Sequence, residues 1–275
     1  MNYKNSFWRN KRWRIAQWFE LRWWKNYLRG KDKQEYLAWK KNYWLNILEK
    51  IKNELNAGSR NGDPAKTVAS KTICDLGCGP AGIFIVFEEN KVTAVDPLID
   101  EYENQTLFFS KSDYHNTTFI KSTMEDFNPS VSKVKSANVT LSGVEGSYSG
   151  EFFDSAQHDI PSGTVPTFET DAPVEKFDLV FCMNAINHIH DIEKGFEKLN
   201  EVCAENGTVI FSIDAHNFSF FKYLSRLIPG DILHPHQYDL DEYKTFLEKQ
   251  KMKIVKTELL KKEFFFNHYL MVVRK

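Results

Sequence analysis

Long apolar runs are what this 275-residue sequence most plainly lacks. No stretch approaches the roughly 18–20 residues that a membrane-spanning helix needs, and residues 83–87 and 179–183 have only the length of buried strands. Cysteine is sparse. The four present (Cys74, Cys78, Cys182, Cys203) show no paired metal spacing, so the chain is not a disulfide-stapled miniprotein, and reduced thiols in a cytoplasmic protein are expected. With 13 glycines and 9 prolines a collagen-like repeat is excluded. The start carries basic residues but no apolar segment with a small-residue cleavage site, so it does not read as a signal peptide. What is there is a core: 42% of residues are hydrophobic and 15% aromatic, which excludes wholesale disorder. The length lies above the usual single domain and below two full ones.

A formal net charge of −1 conceals an asymmetry. Residues 1–53 hold 14 Lys or Arg against 4 Asp or Glu, a net of +10, and the remainder holds 22 against 33, a net of −11. All seven tryptophans precede residue 45. A basic, Trp-rich head therefore sits on an acidic body. Residues 14–29 read as a helix in which Arg14, Lys25, Arg29 and Arg22 form a narrow stripe around Trp18, while Ile15, Phe19, Trp23, Tyr27, Trp24, Leu28 and Leu21 take most of the remaining circumference. After a turn at Gly30, with Asp32 as N-cap, residues 33–55 predict a second helix with Leu37, Trp44, Leu48, Ile51 and Leu55 on one face. Residues 1–56 thus form a helical hairpin. Its wide apolar arc predicts burial against protein as a cap; peripheral contact with an anionic membrane is the second reading, and nucleic-acid binding ranks below it.

From residue 71 strands and helices alternate. Strands are expected at 72–76, 91–95, 118–121, 177–183, 208–213, 253–260 and 268–273, and helices at 192–204 and 241–250. The pattern predicts an α/β fold, a doubly wound Rossmann-like sheet of about seven strands, over residues 67–275. Residues 128–174, rich in Ser, Gly, Thr and Pro without periodicity, interrupt it and read as a disordered insertion.

The informative motif is Asp75-Leu76-Gly77-Cys78-Gly79-Pro80-Ala81-Gly82. It follows a predicted strand, and residues 82–88 are expected to open a helix. Glycine suits a turn where backbone must approach a ligand with no Cβ in the way. Asp75 precedes the first glycine by two, and Asp96, 14 residues after Gly82, ends the next strand where ribose hydroxyls are accepted. A nicotinamide dinucleotide site is the rival reading, and glycines that merely tighten a turn are the plain structural one. Against the rival, a carboxylate at Asp75 repels a pyrophosphate but suits an ammonium group.

Residues 73–80 resemble the first motif of class I S-adenosylmethionine-dependent methyltransferases. Val95-Asp96 resembles that family's second motif, 123–126 the segment after its third strand, 177–189 its fourth strand with the flanking turn, and 207–210 the start of its fifth strand. The resemblance implies an open sheet whose last strand is antiparallel, and S-adenosyl-L-methionine as cofactor. It implies Asp75, Gly77, Cys78, Gly79 and Gly82 at the methionine end, Asp96 at the ribose, Met124 and Glu125 at the adenine rim, and Asn184 on the substrate side. Thr123 stands where an acid often meets the adenine amino group, and Glu125 or a backbone carbonyl is expected to replace it.

Methyl transfer needs alignment and, for oxygen or nitrogen acceptors, a base. The candidates are His188 and His190, Asp214 and His216, and His234, His236 and Tyr238, with His188 and His236 foremost. No metal site is expected, because nothing resembles a carboxylate cluster for magnesium. The acceptor is expected to be a small molecule or lipid-like. The alternatives are a nucleic-acid-binding or RNA-modifying protein that uses the basic head, or a catalytically inactive cofactor-binding member.

Overall fold

The computed structural model describes residues 3–55, 68, 71–129, 175–217 and 238–275, with side chains from residue 14 onward. The chain divides into two units, Met1–Phe127 with Lys176–Lys275 and Asn128–Glu175, and the first is the subject below. The expected disordered insertion at 128–174 lies outside the described residues apart from its first two.

A seven-stranded sheet runs in the order β3-β2-β1-β4-β5-β7-β6. Its strands are β1 (Ile73–Leu76), β2 (Val92–Val95), β3 (Thr117–Ile120), β4 (Phe177–Cys182), β5 (Cys203–His216), β6 (Lys253–Lys262) and β7 (Phe266–Arg274). The first five pair in parallel, and β7 is antiparallel to both β5 and β6. Strand order reverses between β1 and β4, where Asp75 lies opposite Ala94 on one side and Phe181 on the other. Both faces are covered, so β1 is buried throughout and β4 at every position but Asp178.

Alternation along the strands sorts the core into two layers. Ile73, Ala94, Phe181, Ile210 and Val272 point to one face; Cys74, Val95, Val180, Phe211 and Met271 point to the other. The second face is covered by helices Ile192–Val202 and Leu240–Lys249. Asp191 caps the former by accepting from Lys194 N, and Asp239 forms a capping box with Glu242 on the latter.

The first face is covered from the N-terminus. Helix α1 (Tyr3–Leu28) turns at Gly30 (φ 74°) into α2 (Lys33–Lys50), whose N-cap Asp32 accepts from Glu35 N at 2.9 Å. The helix expected over 33–55 breaks at Ile51 (φ −113°), a fully buried residue, and resumes as the short α3 (Lys52–Leu55). Trp44, Ile47, Leu48 and Ile51 pack into the sheet core.

The helix expected to open at 82–88 is absent. Two 3-10 turns, Gly79–Ala81 and Ile83–Val86, stand in its place. Pro80 lacks a donor, Gly82 is extended, and Ile83, Phe84, Ile85 and Val86 are all buried, so the segment has no polar face to offer water. The turns instead fill the space between α2 and the sheet.

Candidate cofactor and acceptor site

At the end of β1 the chain turns through Gly77 (φ 69°) and Gly79 (φ 59°), conformations that disfavour any side chain. A Cβ at Gly77 would overlap that of Ala185. Neighbouring strand ends pin the turn. Gly77 N and Cys78 N donate to Val95 O at 2.8 and 3.2 Å, and Gly79 N donates to Asp96 Oδ2 at 2.9 Å. Asp96 Oδ1 accepts from Leu98 N at 2.8 Å. An ionised carboxylate offers about four acceptor sites, so each Asp96 oxygen keeps one for a ligand hydroxyl. Burial, and then the nearby Glu20 carboxylate, raise the Asp96 pKa well above the usual carboxylate range.

These groups border a cavity of about 490 Å³ at the carboxyl ends of β1, β2 and β4, the position where doubly wound sheets bind ligands. Gly77, Cys78, Gly79 and Asp96 line one part of it. Thr123, Met124 and Glu125 after β3, with Asn184, Ala185 and His188 after β4, line further parts of its sheet side. Asn184 adopts a left-handed conformation (φ 55°), which asparagine tolerates. Its N–H donates to Ser212 Oγ at 2.8 Å and its Oδ1 accepts from the same hydroxyl at 2.8 Å. Glu125 Oε1 accepts from His190 N at 2.7 Å and Asp191 N at 3.2 Å, tying the segment after β3 to the turn that carries His188.

Two residues of the motif stand apart. Asp75 and Gly82 lie behind the turn, not on the cavity wall. Asp75 is buried, and its Oδ2 accepts from Ile83 N at 2.9 Å. Gly82 is glycine because a Cβ would overlap that same oxygen and approach Cys78 O. Burial pushes the Asp75 pKa up to about 7, opposed by its backbone donors and by Lys40.

Of the other candidate bases, Asp214 Oδ1 pairs with His268 Nδ1 at 2.7 Å, and the His216 ring lies 4.3 Å from that of Phe266. Neither these nor His190 and Tyr238 are among the lining residues. His234 and His236 lie outside the described residues. Among the described residues no group of three or more His, Cys, Asp or Glu is placed to hold a metal ion.

The head supplies the rest of the wall. Glu20 and Trp24 of α1, with Lys40 and Trp44 of α2, close the side opposite the sheet. Trp44 Nε1 donates to Ala81 O at 3.0 Å, and Glu20 Oε1 accepts from Tyr102 OH at 2.9 Å. Lys40 Nζ sits 4.6 and 4.7 Å from the Trp44 and Tyr43 ring centroids, and burial lowers its pKa to about 8. Sequence reasoning missed both charged residues. The available signals were that Glu20 is the one acid before Asp32 and lies four residues before Trp24, and that Lys40 lies four before Trp44 on the apolar face of α2.

A glycine cradle, an acid with spare acceptor capacity and a mostly apolar cavity at the switch point define an α/β enzyme that binds a nucleoside-bearing cofactor. The methyltransferase-domain family matches residues 43–256, and the chain belongs to that family; it is an S-adenosylmethionine-dependent methyltransferase. Magnesium protoporphyrin IX methyltransferase from Synechocystis PCC 6803, solved with S-adenosylhomocysteine, shares the fold at 12% identity, covering 94% of each chain with a TM-score of 0.51. The same protein solved with S-adenosylmethionine aligns over 95% of each chain at 10% identity and a TM-score of 0.50. A methyltransferase structure from Listeria monocytogenes aligns over 84% of this chain and 97% of its own at 14% identity, with a TM-score of 0.49. No curated protein gives a significant match.

The residues present fit the cofactor. The cavity, about 490 Å³, falls within the roughly 300–1,000 Å³ of small-molecule sites, the cradle has no Cβ at Gly77 or Gly79, and Asp96 retains acceptor capacity. Among the described residues no helix is long and apolar enough to cross a membrane.

Proposed function

We propose that this methyltransferase acts on a small-molecule or lipid-like acceptor that reaches the cavity between the head helices and the turn after β4. When bound, the cofactor supplies an electrophilic methyl group on a sulfonium. Asp96 accepts the ribose hydroxyls, the Gly77-Cys78-Gly79 backbone receives the methionine end, and Met124 and Glu125 border the adenine. Lys40, the one Lys or Arg among the described lining residues, pairs with the cofactor's carboxylate. Asn184 and His188 face the acceptor, and His188 is the residue best situated to take up its proton. Asp75 serves indirectly, by holding the turn through Ile83 N. Residues 1–56 act as the cap over this site. A cytoplasmic setting is supported by the four cysteines, all buried and none in a disulfide.

The observation that carries this reading is Asp96, whose oxygens are each fixed by one backbone N–H beside the glycine cradle. Charge-assisted hydrogen bonds to its carboxylate contribute about 1.5–3 kcal/mol each. Titration calorimetry should therefore show Asp96→Ala binding S-adenosylmethionine at least about tenfold more weakly with its circular dichroism intact. Undiminished affinity in that variant would remove Asp96 from the ribose.

A further inference from the structure

The two faces of α1 do different things. The inner face carries Glu20, Trp24 and Leu28, of which Glu20 and Trp24 line the cavity and Leu28 is buried. The apolar arc was expected to be buried against protein, yet its Ile15, Phe19 and Trp23 remain 43–52% exposed, and Trp18, at the centre of the basic stripe, is 55% exposed. Arg14, Arg22, Lys25 and Arg29 are exposed on the same side. Among the described residues none of these four cations forms an ion pair. Arg22 lies 5.4 Å from the Trp18 ring centroid, while Lys25 and Arg29 donate to the neutral side chains of Gln105 and Asn26. The single acid between residues 14 and 29, Glu20, points inward to Tyr102.

A surface with large exposed apolar side chains marks a contact site. Here each apolar side chain has a cation close along the helix. That mixture matches the interface of an anionic bilayer, where indole and phenyl rings enter the headgroup boundary and long basic side chains reach the lipid phosphates. A nucleic acid would use the cations but leave Ile15 and Phe19 in water. The cavity opens at the same place: Trp23 on α1 and Trp39 on α2 both line it and are each 52% exposed.

We propose that the outer face of α1 binds the surface of an anionic lipid bilayer, and that the cavity takes an amphiphilic acceptor from that surface between Trp23 and Trp39. The first part stands on the helix alone; the second rests on the methyltransferase reading above. The aromatic residues thus have a division of labour, Trp24 roofing the cavity, Trp18 and Phe19 entering the lipid boundary, and Trp23 standing between the two.

The test uses the full-length protein with vesicles of phosphatidylcholine alone or with about one third phosphatidylglycerol. Co-sedimentation should occur with the anionic vesicles and weaken as salt rises. Trp18→Ser with Phe19→Ser, and separately Arg14, Arg22 and Arg29 changed to Gln, should each weaken it about tenfold or more. These positions do not line the cavity, so S-adenosylmethionine affinity by calorimetry should not change. Methyl label from the cofactor, in a reaction with total cell extract, should appear in the chloroform-soluble fraction. Equal binding to both vesicle types, no binding, or variants that bind like wild type would overturn the surface. So would RNA binding without vesicle binding, or self-association that Trp18→Ser with Phe19→Ser abolishes. Label confined to water-soluble products would overturn the lipid-derived acceptor. Vesicle binding without cofactor binding would instead strike the methyltransferase reading and leave the surface standing.

Discussion

Asp75 shows how a single residue can satisfy a motif and still depart from the role it implies. The acid two places before the first glycine was legible in the sequence, as were Gly77, Gly79 and Asp96, because their spacing reflects a strand followed by a tight turn. The direction of the Asp75 carboxylate was not, because it depends on where the peptide of Ile83 comes to lie. That direction has a consequence for pH. Burial raises the Asp75 pKa from 3.8 to about 7, so between those values the folded state binds more protons than the unfolded one. Its contribution to stability is full below pH 4 and is lost as pH rises to 7, at up to about 1.4 kcal/mol per pH unit. Urea unfolding at several pH values should show Asp75→Asn with a flatter decline over that window than wild type. Parallel slopes would mean that Lys40 keeps the carboxylate ionised in the folded protein. Asp96, raised by burial and by Glu20, adds to the same decline. At the site its effect has the opposite sense: the ionised carboxylate is the better acceptor, so S-adenosylmethionine affinity should rise with pH through the neutral range.

At the level of elements, periodicity located all seven strands and both helices of the second face, because alternation and amphipathic spacing are local properties. One element escaped it. The 83–86 segment was expected to be helical, but Ile83, Phe84, Ile85 and Val86 are enclosed by α2 on one side and the sheet on the other, so the tertiary partner decides the conformation. The apolar face read on α2 is the face that packs, with Trp44, Leu48 and Ile51 in the sheet's own core. Trp44 joins the two observations, since its ring is buried and its Nε1 donates to Ala81 O between the paired turns. Trp44→Ala should cost about 3–5 kcal/mol and Leu48→Ala about 2–5 kcal/mol. Trp44→Phe keeps much of the apolar contact but leaves the Ala81 carbonyl without its donor, for about 1–3 kcal/mol. Denaturant midpoints should fall in that order with slopes unchanged. A Trp44→Phe variant as stable as wild type would show that the ring alone matters.

For the whole molecule, the charge asymmetry divides the chain at about residue 53, but the packing does not divide there. The family match begins at residue 43, within α2, so the half of α2 that carries Trp44 and Leu48, with Ile51 at its end, lies inside the matched region and α1 lies before it. Two truncations should therefore behave differently. Removing residues 1–31 takes away the cavity roof at Glu20 and Trp24 and the outer face of α1, and keeps the Asp32 cap of α2. Among the described residues of α1, the hydrophobic side chains packed against the main core are Leu21 and Trp24, both partly buried, so this shorter protein should stay folded, bind S-adenosylmethionine more weakly and lose its affinity for anionic vesicles. Removing residues 1–56 also strips Trp44, Ile47, Leu48 and Ile51 from the sheet. At about 1.5–3 kcal/mol per buried side chain, that loss is about 6–12 kcal/mol, comparable to the roughly 5–15 kcal/mol that holds a typical domain together. Circular dichroism melts should show a cooperative transition for the first truncation and none for the second. If the protein lacking residues 1–56 melted cooperatively near the wild-type temperature, the sheet would close without α2, and the whole head would be an appendage.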